Sequence, residues 1–434
     1  MKLRHYQQRA IDELYQWFRE NAQGNPCMVL PTGAGKSVII AALCRDALTS
    51  WPETRILMLT GSRELVGQNA ERMRAMWPNA PLGIYSAGLN KRQLGEPITF
   101  GSIQSLATKT KEIGHIDLIL IDECHAINHK QTGQYRELIA GLSEINPAIR
   151  IVGCTATPYR LGHGFIDEGE DASFSDLLYS VTIVELLGQG HLAPLRSKHT
   201  ATEYDTSKVG IRAGDYVVSE LEKLVDTDEY NHAVVEEMMR RASDRKAWLI
   251  FAVGVSHAQH ISDLLTEKGI VSACVHGGTP SAQRKQTLLD FKAGTIRALV
   301  NVGVLTTGFD EPRIDMIAML RPTQSTGLYV QMAGRGLRTH PDKQDCLVLD
   351  FAGNVGTHGP ITNPKPPKSP KKKKGEADEK PTKVCPKCEE VLARNATECP
   401  CGHDFREEMH QEELKLLKLH NDDILAKEEP KSMY

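Results

Sequence analysis

A glycine-rich segment near the start of the chain has the composition of a phosphate-binding loop. Residues 31–37 read Pro-Thr-Gly-Ala-Gly-Lys-Ser, between an apolar run and a helical pattern, although Leu30 stands where the general pattern has its first glycine. Glycines let backbone N–H groups approach phosphate oxygens, and the N-terminus of the following helix adds favourable partial charge. In such loops the lysine reaches the β- and γ-phosphates and the hydroxyl holds Mg²⁺. The segment therefore predicts a nucleotide site formed by Thr32, Gly33, Ala34, Gly35, Lys36 and Ser37.

Two adjacent carboxylates follow another apolar run, at residues 118–121. Asp122 and Glu123 begin the sequence Asp-Glu-Cys-His. A carboxylate at the end of a strand beside a phosphate loop is suited to hold Mg²⁺, so Asp122 is the predicted metal-side group. Glu123 is placed to orient or deprotonate an attacking water. His125 has two open interpretations: a relay between this site and a domain interface, or a cap on the next helix.

A third group lies far along the chain, where residues 331–338 read Gln-Met-Ala-Gly-Arg-Gly-Leu-Arg. Arg335 and Arg338 are three residues apart, so on a helix both side chains point to one side. Arginines supplied by a second domain stabilise the charge on a transferred phosphoryl group. Taken alone, the segment would also fit a basic surface helix. Together with the two preceding motifs, it predicts that Gln331, Arg335 and Arg338 complete a phosphoryl-transfer site.

Four of the ten cysteines are crowded into 17 residues in the last part of the chain. Cys385 and Cys388 form one pair, and Cys399 and Cys401 form a second pair after ten intervening residues. Two short chelating turns of thiolates match the tetrahedral geometry of a structural Zn²⁺ site. His403 is an alternative fourth ligand to Cys401, and unliganded thiols or an iron–sulfur cluster are the other interpretations. The remaining six cysteines are scattered and are predicted to be small buried residues.

The elements that must position these groups are short apolar runs that alternate with helical patterns. Continuous hydrophobicity is typical of strands buried on both faces, as in a parallel sheet. Two series of such runs predict an α/β chain with two tandem doubly wound parallel-sheet domains and a small C-terminal zinc-ribbon-like module. The predicted units are a first domain (1–189), a connection (190–226), a second domain (227–358), a linker (359–383), a cysteine module (384–406) and an amphipathic tail helix (407–434).

The charge of the chain is nearly balanced in total but unevenly distributed. The 434 residues carry a formal charge of −3, which excludes a protein that coats nucleic acid by bulk charge alone but not one with a local groove. Residues 360–383 hold eight lysines against three acids, which is typical of an extended solvated tether and would also suit phosphate contacts. No apolar run is long enough to span a membrane, and no signal peptide is evident, so a cytoplasmic protein is expected.

The motifs in this order resemble those of the superfamily 2 DExH-box helicases and translocases, over roughly residues 1–355. The strings at 30–37, 190–195 and 301–312 are most similar to bacterial and phage helicases of the RadD-like type, related to the ATPase subunits of type III restriction enzymes. The resemblance implies two RecA-like domains that bind ATP and Mg²⁺ between them. It implies further nucleotide contacts from Arg4, Gln7, Gly308 and Asp310. It assigns the coupling of hydrolysis to strand movement to Thr155, Thr157 and His125.

The same resemblance implies a track for single-stranded nucleic acid across the tops of both domains. Hydroxyls, amides and a few arginines suit phosphate contacts that carry no sequence information. For any one residue a structural role is the alternative; Ser105, for example, is also suited to cap a helix. Thr306 is included because Val302 stands at the usual upstream threonine position. The matching residues are Ser62, Arg63, Glu64, Ser102, Gln104 and Ser105 in the first domain, and His276, Gly277, Gly278, Arg284 and Thr306 in the second.

The sequence thus predicts an ATP-dependent DNA helicase or translocase with a structural Zn²⁺ module. It would act on single-stranded or branched DNA in repair, recombination or phage DNA metabolism, in a bacterial or phage-infected cell. An RNA helicase is the alternative within enzymes. An ATP-switched nucleic-acid-binding assembly factor without strand separation is the alternative from another class, with a protein partner on the cysteine module or the tail. No nuclease-like group of acidic residues is evident, so strand cleavage is not predicted.

Overall fold

The computed structural model describes residues 2–127, 133–160, 164–169, 172–202, 204–212, 214–306, 308–365 and 382–406, except the side chain of Arg63. The predicted tail helix at 407–434 lies outside these residues, as do residues 366–381 of the predicted linker. The described part of the chain contains two α/β domains and a small unit with the clustered cysteines.

The first domain is built on an eight-stranded sheet with helices packed on both faces. Its strands are β1 (Pro26–Val29), β2 (Ile56–Thr60), β3 (Leu82–Ser86), β4 (Lys91–Arg92), β5 (Ile98–Ser102), β6 (Leu118–Asp122), β7 (Arg150–Thr155) and β10 (Asp176–Leu178), with a separate hairpin of β8 (Tyr159–Arg160) and β9 (Gly164–Phe165). Its helices are α1 (His5–Glu20), α2 (Lys36–Ser50), α3 (Arg63–Met76), α4 (Ile103–Leu106), α5 (Thr110–Ile113), α6 (Gln134–Ile145) and α7 (Ile183–Gly188).

The order of this sheet brings the predicted motifs to one edge. The strands follow β10-β1-β7-β6-β2-β5-β3-β4, and all neighbours are parallel except β3 and β4. Apolar residues on α1 to α3 cover one face, and those on α4 to α6 cover the other, so the central strands are buried throughout. Because the carboxyl ends of parallel strands meet at one edge, the loop after β1, Glu123 after β6 and Thr155 on β7 are neighbours.

The second domain contains a six-stranded sheet in which every strand pair is parallel, in the order β11-β18-β17-β14-β16-β15. Its strands are β11 (Leu195–Lys198), β14 (Trp248–Phe251), β15 (Ser272–His276), β16 (Ala298–Val302), β17 (Met316–Met319) and β18 (Cys346–Asp350), with a separate hairpin of β12 (Ile211–Arg212) and β13 (Asp215–Tyr216). Its helices are α8 (Val218–Val225), α9 (Asp228–Arg241), α10 (Val255–Glu267), α11 (Ser281–Ala293), α12 (Thr326–Ala333) and α13 (Asn354–His358).

The cysteine-bearing unit is a third, small element of the fold. Its two strands, β19 (Thr382–Val384) and β20 (Val391–Ala393), form an antiparallel hairpin beside the four cysteines. The predicted fold class, two RecA-like parallel-sheet domains with a small C-terminal cysteine unit, is confirmed. Among the described helices, none combines the length and the apolar character needed to cross a lipid bilayer.

Three local features differ from what the sequence pattern indicates. Residues 195–198 of the predicted connection form β11 and therefore belong to the second sheet, because they pair with β18. The strand β19 begins at Thr382, inside the predicted linker. Arg338 does not share a helix with Arg335, because α12 ends at Ala333 and the chain tightens into a 3₁₀ turn at Gly334–Leu337 before Arg338 becomes extended.

Candidate active site

The phosphate-binding loop predicted from the sequence joins β1 to α2 and depends on two glycines in left-handed conformations. Gly33 has φ +88° and Gly35 has φ +79°, values that L side chains rarely adopt. A Cβ atom on Gly35 would lie 2.6 Å from Nε2 of Gln7. Any other residue at position 35 would therefore be strained by its backbone and would displace the side chain of Gln7.

The cation and the two carboxylates predicted from the sequence lie in direct contact. Nζ of Lys36 is 2.7 Å from Oδ1 of Asp122 and 2.6 Å from Oε1 of Glu123. Burial alone would lower the pKa of Lys36, but attraction to the two carboxylates outweighs burial and raises it. Burial would likewise raise the pKa of Asp122, but Lys36 holds it below its usual value. Both groups are therefore charged at neutral pH.

Glu123 has an unusual backbone conformation for a non-glycine residue. Its φ is +50°, in the left-handed region, and its N–H donates to Oδ1 of Asp122 over 3.0 Å. This turn directs the Glu123 carboxylate back toward Lys36 instead of along the strand. Non-glycine residues in this region are concentrated at functional sites, where the surrounding structure enforces them.

Two polar side chains on α3, which no sequence motif indicated, also reach this group. Nδ2 of Asn69 donates to Oδ2 of Asp122 over 2.8 Å. Nη1 of Arg72 is 3.5 Å from Oγ of Ser37. The sequence gives no signal for either residue, because the contact between Asn69 and Asp122 joins positions 53 residues apart.

The second domain places its predicted residues opposite the first. Arg335 is 7% exposed, and its guanidinium donates through Nη1 to the carbonyl of Phe309 over 2.6 Å. Burial lowers the pKa of Arg335 to about 9, which still leaves it charged at neutral pH. Nε of Arg338 lies 2.5 Å from Oδ1 of Asp310.

These side chains from both domains line one cleft of about 460 Å³. At its wall the domains nearly touch, since a Cβ atom on Gly334 would lie 2.6 Å from Cγ2 of Thr32. The cleft therefore has the size and the donors of a nucleotide site shared between domains. Its lining includes, of the predicted residues, Arg4, Thr32, Gly33, Gly35, Lys36, Ser37, Asp122, Glu123, Gly308, Asp310, Gln331, Arg335 and Arg338.

The N-terminal segment is bonded to the phosphate loop. Nε2 of Gln7 donates to the carbonyl of Ala34 over 3.2 Å, and its Oε1 accepts from the N–H of Arg4. The hydroxyl of Tyr6 donates to the same carbonyl over 2.9 Å. Arg4 and Gln7, which the resemblance predicts as nucleotide contacts, thus lie at the loop, and Ala34 itself is buried.

The predicted coupling residues come together at the domain boundary. Nδ1 of His125 lies 2.8 Å from Oγ1 of Thr155 and 3.4 Å from Oγ1 of Thr157. On its other side, Nε2 lies 3.4 Å from Nε2 of Gln331 in the second domain. Burial lowers the pKa of His125, so a neutral imidazole links the two domains near pH 7. His125 thus lies between the nucleotide cleft and the second domain, and its role as a relay stays a prediction.

Some of the residues predicted to contact nucleic acid line a groove between the domains, and others lie elsewhere. Ser62, Glu64, Gly277 and Arg284 line a second interdomain groove of about 800 Å³. The guanidinium of Arg284 donates to the carbonyls of His276, Gly277 and Thr279, so it also fixes that loop.

The other predicted contacts lie outside this groove, and their role in binding nucleic acid stays a prediction. Ser102 is buried and its hydroxyl bonds that of Ser105, and Gln104 donates to the carbonyl of Gly61. Arg63 begins α3, and its side chain lies outside the described residues. Thr306 is half-buried in the segment before Gly308.

The four clustered cysteines form a compact donor set away from the cleft. Their four Sγ atoms all lie within 4.8 Å of one another. Cys385 and Cys401 are 3.7 Å apart, and Cys388 and Cys399 are 3.6 Å apart. The ring of His403, the alternative ligand, instead packs edge-to-face on Phe405 at 4.7 Å.

The unit that bears these cysteines is fixed to the outer strand of the second sheet. Lys198 on β11 pairs antiparallel with Glu390, and its Nζ donates to the carbonyl of Cys388 over 2.7 Å. Nη1 of Arg196 lies 3.3 Å from the Glu390 carboxylate, and Nη1 of Arg241 lies 2.9 Å from that of Glu389. The basic side chains of β11 and α9 therefore match an acidic turn between the cysteine pairs.

Two parallel-sheet domains that share one cleft define the class of two-domain RecA-like proteins. Residues 1–160 match the family described as type III restriction enzyme, res subunit, and residues 229–340 match the family described as helicase conserved C-terminal domain. With these two domains in this order, the chain belongs to the superfamily 2 helicases, as the sequence motifs indicated. Membership of this family implies the use of ATP.

Two relatives align with most of the chain. IRC3 of Saccharomyces cerevisiae, named as an ATP-dependent helicase, is 28% identical over 362 residues, which are 81% of this chain and 51% of IRC3. A 51.5 kDa protein of a Lactococcus phage is 28% identical over 392 residues, which are 89% of this chain and 79% of that protein. The chain therefore spans about half the length of the yeast relative.

Solved structures share the fold. A fragment of an HsdR subunit of a type I restriction enzyme from Vibrio vulnificus superposes with a TM-score of 0.61 at 24% identity, covering 81% of this chain and 64% of that one. The type ISP restriction-modification enzyme LlaBIII bound to DNA superposes with a TM-score of 0.57 at 17% identity, covering 80% of this chain and 27% of LlaBIII. Dbp5 of S. cerevisiae bound to RNA superposes with a TM-score of 0.51 at 13% identity, covering 83% of this chain and 89% of Dbp5.

Proposed function

We propose that the chain is a DNA-stimulated ATPase that moves along or remodels DNA. The observation that carries the proposal is the cleft in which Lys36, Asp122 and Glu123 of the first domain face Arg335 and Arg338 of the second. Groups from two domains that meet at one phosphate site make hydrolysis depend on how the domains are arranged. ATP binding then draws the domains together, and release of the products lets them separate.

The proposed roles follow from chemistry and position. Lys36 and the loop N–H groups bind the phosphates of ATP, and Glu123 orients or deprotonates the attacking water. Arg335 and Arg338 stabilise the charge that develops on the transferred phosphoryl group. Ser37 and Asp122 are a hydroxyl and a carboxylate, which are donors that Mg²⁺ prefers, and the ion would neutralise phosphate charge there. Gln331 and His125 link this site to the motif at Thr155.

The nucleic acid is proposed to be DNA. The family match to restriction-enzyme subunits and the likeness to LlaBIII bound to DNA favour DNA. The likeness to Dbp5 bound to RNA is the observation that supports the RNA alternative. The groove lined by Ser62, Gly277 and Arg284 is the proposed contact surface, since polar groups and an arginine there suit a phosphate backbone. A bacterial or phage-infected cytoplasm is the proposed setting.

The four-cysteine cluster is proposed to hold a structural Zn²⁺ ion. Tetrahedral Zn–S bonds of about 2.3 Å place neighbouring sulfurs about 3.8 Å apart. The observed separations of 3.6 and 3.7 Å fit that geometry, whereas a disulfide needs about 2.05 Å. Four protein donors leave no open position, so the ion would stabilise the unit and would not catalyse.

The proposal is tested by the ATPase rate of the full chain with single-stranded, forked and duplex DNA and with RNA of equal length. We expect DNA to stimulate hydrolysis more than RNA. Lys36→Ala should abolish turnover, and Arg335→Ala should retain ATP binding while losing hydrolysis. Stimulation by RNA alone would identify an RNA helicase. ATP-dependent binding to DNA without movement or strand separation would instead identify the assembly factor.

A further inference from the structure

Helix α3 carries two polar side chains into the ATP cleft. Asn69 and Arg72 are three residues apart, so they share one face of the helix. Asn69 is 7% exposed, which is unusual for an amide side chain unless it is bonded to a partner. Its partner is the carboxylate of Asp122, the residue proposed to hold Mg²⁺. Arg72 lines the same cleft two-thirds buried.

Asn69 completes the hydrogen bonding of Asp122. Oδ1 of Asp122 accepts from Lys36 and from the N–H of Glu123, and Oδ2 accepts from Asn69. An amide on the second oxygen prevents the carboxylate from rotating about its Cβ–Cγ bond. The lone pairs that remain for a metal ion or its water therefore point in one direction. Residues that orient ligating carboxylates commonly matter almost as much as the ligands.

Arg72 bridges the two domains. Its Nη1 lies 3.5 Å from Oγ of Ser37 in the first domain, and its Nη2 lies 3.6 Å from Oδ2 of Asp310 in the second. The other oxygen of Asp310 is 2.5 Å from Nε of Arg338. One carboxylate of the second domain thus contacts an arginine from each domain, and the position of Arg338 depends on that shared partner.

We propose that Asn69 and Arg72 are positioning residues for ATP hydrolysis. Asn69 fixes the orientation of Asp122, and Arg72 sets the position of Asp310 and, through it, of Arg338. The inference rests on the proposed ATPase function. Helix α3 also begins beside Ser62, which lines the proposed nucleic-acid groove, so one helix of 14 residues extends from that groove to the ATP site.

The first test compares the full chain with Asn69→Ala and Asn69→Asp. Asn69→Ala should lower kcat by about 10- to 100-fold and raise the Mg²⁺ concentration for half-maximal activity, with little change in KM for ATP. Asn69→Asp has the same shape but places a negative charge against Asp122, so its loss should be larger. It also keeps the proposal testable if Asn69→Ala does not fold. Arg74→Ala, on the exposed side of the same helix, is the control.

Wild-type kcat and Mg²⁺ dependence in the Asn69 variants would overturn the role of Asn69. A wild-type chain without ATPase activity on any nucleic acid would instead reject the proposed function, so the two failures are distinguishable. A fall in melting temperature with unchanged kcat and Mg²⁺ dependence would identify a purely structural residue, and would also overturn the proposal.

The second test is a double-mutant cycle on Arg72 and Arg338. Because both act through Asp310, Arg72→Gln combined with Arg338→Gln should lower kcat no further than Arg338→Gln alone. Arg72→Lys, which keeps the charge, should restore part of the activity that Arg72→Gln loses. Strictly additive losses, or an Arg72→Gln variant with wild-type kcat, would overturn the role of Arg72.

Discussion

At the residue scale, the cleft sets two carboxylates of the first domain beside cations drawn from both domains. Lys36 contacts both carboxylates. Arg335 lies on the opposite side of the cleft and is buried, so it has lost most of its hydration. Preorganised charges in a partly dry site stabilise developing phosphate charge better than solvent does. The two arginines are not redundant in this arrangement, because Arg335 is held by a backbone carbonyl and Arg338 by the carboxylate of Asp310.

Glu123→Gln tests the water-activating carboxylate. The substitution keeps the size of the side chain and removes its charge, so ATP binding should persist while hydrolysis falls by about 10²- to 10⁴-fold. Turnover and nucleotide binding are measured separately with the same DNA. Glu112→Gln, an exposed residue outside the cleft, is the control. Substantial DNA-stimulated hydrolysis in Glu123→Gln would remove Glu123 from the mechanism.

His257 predicts a pH dependence of stability. It is fully buried on α10, and burial lowers its pKa to about 4, against about 6.5 in the unfolded chain. Its contribution is therefore fully present above pH 6.5 and is lost as the pH falls toward 4, by about 3 kcal/mol. Thermal unfolding of the second domain should lose this dependence in His257→Gln. His260→Gln should keep it, because the pKa of His260 is raised by its contact with Asp226; an unchanged acid profile in His257→Gln would contradict the prediction.

The residues that could be predicted from the sequence were those held by local backbone geometry. Lys36 follows its glycines directly, and Asp122 and Glu123 follow their strand directly, so short strings identify them. Asn69 and Arg72 reach the cleft only because α3 packs against β2, β3, β5 and α2 in the folded domain. A helix of mixed polar residues gives no sign of that packing. Ser102 is buried and bonds Ser105 three residues further along the chain, and its role as a phosphate contact stays a prediction.

At the scale of elements, the parallel sheets could be predicted because their buried strands are continuous apolar runs. The strand β11 could not be predicted in this way, since three of the four residues in its sequence Leu-Arg-Ser-Lys are polar and each residue is only partly buried. Its basic side chains, Arg196 and Lys198, are explained by the carboxylate of Glu390 that both of them contact. A polar strand of this kind is recognisable only with its partner unit in place.

Metal removal tests the link between the cysteine unit and β11. Wild-type protein should contain about one zinc per chain, and Cys385→Ser combined with Cys388→Ser should contain none. Since a unit this small has little core of its own, loss of metal should unfold it and release the contacts of Lys198 and Arg196. Hydrogen exchange should then quicken at β11 and β19. Cys274→Ser, outside the cluster, should retain the metal; unchanged exchange at β11 without zinc would contradict the link.

At the scale of the whole molecule, the two domains are brought together by a few close contacts around the cleft. The order of motifs indicated that both domains contribute to one site, but not where they touch. In the structure, Gly334 meets Thr32 of the phosphate loop, and His125 meets Gln331. The net charge of the chain is close to zero, which is consistent with domains that are held together by local contacts and not by attraction between large opposite charges.

Gly334→Ala tests the domain contact. Its Cβ would lie 2.6 Å from Thr32, so the second domain must shift away from the phosphate loop. A displacement of about 1 Å at a catalytic group can reduce turnover by about 10²-fold, so kcat should fall while each domain remains folded. Gly356→Ala, where a Cβ meets open space, is the matched control. Equal activity of the two variants would show that the contact does not set the working geometry.

The position of β11 has a consequence for the solubility of shortened chains. β11 is the outer strand of the second sheet, and the hairpin and cysteine turns at 382–406 cover its free side through the pairing of Lys198 with Glu390. A chain that ended before residue 382 would leave this side open, with unpaired backbone donors and acceptors available to another copy. Such chains would join strand to strand and aggregate. The small C-terminal unit thus also protects the second domain from association with another copy of itself.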